Sequence, residues 1–169
     1  MNAKFTLEQV TEIIKKWAEE KTIKGDIQFD KDYCKHTKDE DTLRFTTSNL
    51  TKWIPENTDG KESDFGNSYN YAYEIVCMKT KIKLRLAFGY QKISGITKKR
   101  VDEVITKYRK KIVKEYEREG PYRRAGKYIK GIDDCHTEED ICKTMDEIFY
   151  RMMGYEEFII FKLEEAENA

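Results

Sequence analysis

Two runs in the middle of the chain alternate apolar and polar residues. In the first, Tyr69, Tyr71, Tyr73, Ile75 and Cys77 project to one side, with Asn70, Ala72, Glu74, Val76 and Met78 on the other. In the second, Ile82, Leu84, Leu86 and Phe88 share a face opposite Lys83, Arg85 and Ala87. A period of two, broken by the short polar stretch 79–81, predicts an antiparallel hairpin. The first run is apolar on both sides for part of its length, as a central strand would be. The tyrosine row 69/71/73 has the spacing of a base-stacking platform, but buried aromatics of a core wall explain it with less.

The flanking segments change period. Leu7, Val10, Ile13, Ile14, Trp17 and Ala18 recur at helical spacing, and Thr6 with Gln9 makes a capping box. Val101, Val104, Ile105, Tyr108, Ile112 and Tyr116 form a second stripe, ended by Gly120 and Pro121. A third runs through Ile141, Met145, Ile148, Phe149 and Met152, capped by Thr137, with Glu138, Glu139 and Asp140 complementing the helix dipole. Gly154 leaves two readings of residues 155–167, a kinked continuation or a short terminal helix. Ile27, Phe29, Tyr33, Leu43 and Phe45 mark two short strands, and 126–132 a possible further one. Strands clustered between helices predict an α+β fold, an antiparallel sheet with helices packed mainly on one face. The expected organisation is one domain over 1–169, with helices at 1–20, 97–118 and 137–165 and strands within 25–90.

Composition adds a boundary. At 169 residues the chain is large enough for a core without disulfide staples. No apolar run reaches the length needed to span a bilayer, and the start lacks the apolar segment of a signal peptide. A cytoplasmic location with four reduced cysteines is the expectation.

Net charge is zero, but it is unevenly laid down. Residues 1–97 carry 16 basic and 15 acidic side chains, residues 98–130 carry 13 and 5, and residues 131–169 carry 3 and 12. The middle segment is thus cationic and the last one anionic. Lys99, Arg100, Lys107, Arg109, Lys110 and Lys114 flank the second helical stripe, and Arg123 and Arg124 come after it. With Lys83 and Arg85 on the polar side of the hairpin, these ten are the candidate binding residues. They could grip phosphates, or be neutralised by the acidic segment.

Catalytic chemistry is not legible. Cys34 with His36, and Cys135 with His136 and Cys142, lack the paired spacing of a zinc site. Neither a nucleophile elbow nor a phosphate-binding glycine loop is present. Asp64 and Glu74 evoke a metal-dependent nuclease, but Val76 stands where that motif needs lysine. Glu74 is instead expected to pair with Lys83 or Arg85 across the hairpin. No catalytic residue, metal or cofactor is assigned.

The stretches "NYAYEIVCMKTKIKLRLAFG", "RVDEVITKYRKKI" and "TEEDICKTMDEIFYRMMGYEEFI" together resemble the non-catalytic C-terminal α+β region of PD-(D/E)XK-like nuclease-family proteins found around prophages and defence loci. The likeness spans roughly residues 40–165 and rests on element order and the hairpin. It implies accessory binding rather than cleavage, and no family residue carries over. The expectation is a non-enzymatic binding protein of bacterial or phage origin that docks on a protein or nucleoprotein partner. A phage inhibitor of a bacterial, CRISPR-like defence nuclease is one concrete form. The alternatives are a nucleic-acid-binding accessory domain using 98–130, and a hydrolase whose site converges only in three dimensions.

Overall fold

Thr6 begins the first helix, α1 (Leu7–Ile23), by accepting the backbone N–H of Gln9 at 3.1 Å, while the Gln9 side chain accepts the Thr6 N–H at 2.8 Å. Two N–H groups that helix geometry leaves without partners are thereby satisfied. The strands are β1 (Gln28–His36), β2 (Asp41–Thr46), β3 (Tyr71–Cys77), β4 (Lys81–Gly89), β5 (Glu117–Glu119) and β6 (Tyr122–Gly131). The remaining helices are α2 (Gly95–Ile112) and α3 (Glu138–Glu167). In this computed structural model the described residues are 4–112, 117–119 and 122–168, with only the backbone described at 104, 105, 108–112 and 117–119.

The strands form one sheet in the order β1-β2-β3-β4-β6-β5, and the fold is α+β with α1 and α3 packed against the sheet. By internal contacts the chain divides into two compact units. The first comprises Met1–Thr47, Tyr73–Leu84 and Tyr128–Arg151, the second Ser48–Ala72, Arg85–Lys127 and Met152–Ala169.

In the first unit, β2 pairs antiparallel with β3, setting Leu43 opposite Ile75 and Phe45 opposite Tyr73. Phe45 stacks on Tyr73 at 5.1 Å and meets both Trp17 of α1 and Phe149 of α3. Both helices therefore lie on the same face of the sheet. Each large side chain buried here contributes about 1.5–3 kcal/mol. On the opposite face Arg44 and Glu74 form a buried ion pair at 3.2 Å, and Tyr33 lies 3.9 Å from the Arg44 guanidinium. The sequence predicts that Glu74 pairs within its hairpin; this bond goes to the other neighbouring strand, because residue 44 is its cross-strand partner in the β2–β3 register. β1 is an edge strand whose register breaks between Asp30↔Arg44 and Lys35↔Thr42, so residues 31–34 bulge opposite Leu43 alone.

In the second unit Phe65 stacks on Tyr122 at 4.9 Å and both pack against Ala72 and Ala87. Tyr155, Ile159 and Leu163 are buried along the second half of α3. That helix runs unbroken through Gly154, resolving the two readings in favour of a single element. Burial of Met152 and Tyr155 on either side of it outweighs the cost of about 1 kcal/mol for a helical glycine.

β6 corrects another expectation. Ten residues are in strand, from Tyr122, so Arg123 and Arg124 belong to the sheet rather than to a segment trailing a helix.

Candidate functional site

The loop that enters α2 is fastened from below. Asp64 turns one carboxylate oxygen toward three successive backbone N–H groups, those of Tyr90, Gln91 and Lys92, at 2.9, 3.1 and 3.0 Å. Its carbonyl accepts the Tyr122 hydroxyl at 2.7 Å. Gly89 is needed for this approach: a Cβ there would lie 2.8 Å from that same oxygen. One residue thereby fixes where the chain leaves β4 and sets up the start of the next helix.

Ser94 then caps α2, its hydroxyl accepting the Thr97 N–H at 3.2 Å and bonding the Thr97 hydroxyl at 2.9 Å. The N–H groups of Gly95 and Ile96, in the first turn, have no acceptor within the helix. That turn contains no acidic residue, and Lys98, Lys99 and Arg100 come directly after it. Lys92 and Lys99 are exposed, and Lys98 sits 4.7 Å over the Tyr90 ring. Ile96 is 83% exposed, an apolar side chain set among cations. Beside this helix start lies a cleft of about 990 Å³ lined by Pro55, Asn57, Lys61, Asn70, Lys92 and Thr97, among others.

Seven of the ten sequence-nominated residues have described side chains, each in its own surroundings. Lys99 is exposed, Arg100 approaches Glu103 at 4.0 Å, and Lys107 is exposed further along α2. Arg123 pairs with Asp102 at 2.8 Å and stacks 3.5 Å over Tyr90, whose hydroxyl also donates to Asp102. Arg124 is buried, 5.9 Å from the Tyr122 ring. Lys83 and Arg85 are half-buried on β4. The side chains of Arg109 and Lys110, and all of Lys114, lie outside the described residues. Sequence reading did not nominate Lys61, Asn70, Lys92, Ser94 or Thr97. The signal available for the last two was "SGITKK", a helix start carrying a cap but cations in place of the usual acids.

Among the described residues, the acidic segment forms ion pairs outside the basic one. Its described ion pairs to other parts of the chain run from Glu138 to Lys16, Asp146 to Lys21, Glu147 to Lys130 and Glu167 to Lys52. Of these cations only Lys130 belongs to 98–130.

Other polar groups are tied into the fold by hydrogen bonds and ring contacts. Asp41 is buried, accepts the Thr11 hydroxyl at 2.7 Å and is held by His36 Nδ1. Burial, and then the Asp41 charge, push the exposed Cys34 thiol up, away from a reactive thiolate. Burial likewise pushes Cys77 up. Lys21 lies among the rings of Trp17, Phe149 and Tyr150; burial pulls its pKa down, but Asp146 and the Tyr150 hydroxyl outweigh that and raise it. Among the described residues no group of three His, Cys, Asp or Glu side chains is placed to hold a metal ion, and no helix is long and apolar enough to cross a membrane. No protein-family model, no curated protein and no solved structure matches the chain.

Proposed function

We propose that the protein is a non-enzymatic binding protein that docks on a nucleoprotein partner through the start of α2. The observation that carries this is the accumulation of Lys98, Lys99 and Arg100 at the positive end of a helix, next to exposed Lys92 and Ile96. Cations just past the first turn at that pole are mildly unfavourable, each by less than the about 0.3–1 kcal/mol of a charge in the first turn itself. An anionic partner offsets the cost, and an exposed apolar side chain within a polar rim is the anatomy of a protein contact. The buried carboxylates Asp41 and Glu74 are held by Thr11, His36 and Arg44, which supports an architectural use for them. A phage inhibitor of a bacterial defence nuclease is one form of this reading.

The test is fluorescence anisotropy with labelled single-stranded RNA and duplex DNA, between about 50 and 200 mM salt. Binding should weaken steeply, with a log–log slope set by the number of phosphates contacted. Alongside it, a panel of purified guide-RNA-loaded bacterial nucleases is assayed for cleavage with and without the protein. Inhibition that Ile96→Asp removes supports docking on the assembly; binding to free nucleic acid with no inhibition shifts the reading to an accessory nucleic-acid-binding domain. Absence of both, at any salt, would falsify the proposal.

A further inference from the structure

We infer that the open groove between the starts of α1 and α3 is a socket for a second copy of this chain, which enters it with Ile96 and the cations beside that residue. The groove has a volume of about 490 Å³, and Phe5 and Ile13 give it an apolar lining. The described residues around it also include three carboxylates, Glu8, Glu12 and Glu138, and no lysine or arginine. Glu8 and Glu12 are four residues apart and so stand side by side on α1. Glu12 pairs with Lys15 at 3.5 Å and Glu138 with Lys16 at 3.3 Å, but both pairs are solvent-exposed and give way readily to a competing cation. An apolar patch rimmed by carboxylates suits an aliphatic side chain that arrives with positive charge around it.

The chain displays such a side chain itself. Ile96 is 83% exposed, and Lys99 and Arg100 follow it at the spacings that put them on the same side of α2. Lys92, in the loop before the helix, is exposed as well. Glu103 lies 4.0 Å from Arg100, an exposed pair that offsets little of this charge. Plug and socket therefore match in polarity at the centre and in opposite sign at the rim, the anatomy of a specific contact. A net charge of zero adds to this, since two copies meet without overall repulsion. The two patches are different surfaces, so the contact is heterologous, and copies add in a row or close into a ring. With one aliphatic anchor it is weak and concentration-dependent. A copy seated on Ile96 covers it, so self-association and docking on an anionic partner exclude each other.

The experiment is sedimentation velocity of the full chain from about 1 μM to about 1 mM. The weight-average sedimentation coefficient should rise across that range, and the association should weaken about threefold to tenfold between about 50 and 500 mM salt. Ile96→Asp spoils the plug and Glu12→Lys the socket, and each alone should weaken self-association by about tenfold or more. Mixed in equal amounts, the two variants should associate again and stop at two chains. The intact socket of the first takes the intact plug of the second, and no matched pair of surfaces is left over. A natural chain that stays monomeric throughout, a variant that associates as the natural chain does, or a mixture that stays monomeric overturns the inference. Circular dichroism checks that both variants fold, and Ile96→Ser or Glu12→Gln replaces one that does not. The solutions contain no nucleic acid, so a negative result leaves the nucleoprotein reading in place.

Discussion

The first unit and the start of α2 treat charge in opposite ways. In the first unit Arg44 and Glu74 are buried against each other, Asp41 is tied to Thr11 and His36, and Lys21 is enclosed by three rings beside Asp146. There α1 and α3 begin with Glu8 and with Glu138, Glu139 and Asp140, the signs that a helix start favours. α2 begins with none, and cations come next. Charge in the first region holds the fold together, whereas at α2 it is displayed against the fold's own interest. Such local violations of otherwise obeyed rules mark surfaces shaped for something other than stability.

The contrast can be broken most forcefully at Arg44. Arg44→Ala strips Glu74 of this buried partner and should cost about 3–5 kcal/mol, read as a lowered midpoint in urea unfolding. A loss under about 1 kcal/mol would mean that the pair is not what orders this face.

The α3 start gives an intermediate effect. Thr137 caps it by accepting the Asp140 N–H, so Thr137→Ala should cost about 1 kcal/mol. Asp140 sharpens the point through pH. The N–H groups of His136 and Thr137 hold its carboxyl below its ordinary value of 3.8. Because the folded value is the depressed one, its contribution is complete above 3.8 and fades as pH falls through the folded value. The difference in Tm between the natural chain and Asp140→Asn should therefore be constant near neutrality and close in acid. A gap that widens on acidification would contradict the assignment.

The smallest effect has the opposite sign. Lys99→Glu should stabilise the chain slightly, by less than about 1 kcal/mol, while weakening any contact with an anionic partner. If it destabilises, α2 does not carry misplaced charge and the contrast dissolves.

Periodicity made the architecture legible where one face was plainly dry: Trp17, Phe45, Ile82 and Leu84 are buried as their spacing requires. The Thr6–Gln9 capping box was also readable, since its partners are three residues apart. The features that escaped depended on distant contacts. Of "YRRAGKYIKG" the part within 126–132 was legible as strand, but the charged start was not, because Arg124 and Ala125 are buried by neighbours that sequence cannot place. Asp64 reaches backbone groups 26 to 28 residues away, and nothing in "ESDFG" announces it. The cleft beside α2 draws on 55–62, 70 and 91–97, three stretches that only the fold assembles.

The bulged edge strand has a consequence for how this molecule behaves in a crowded solution. A straight, regular outer strand offers its unsatisfied amides as a template for a second chain, and repetition of that pairing yields fibres. With residues 31–34 swung out of register and charged at Lys31 and Asp32, β1 cannot offer a continuous row. A chain trimmed to restore regular pairing there would be more orderly on paper and far more prone to polymerise.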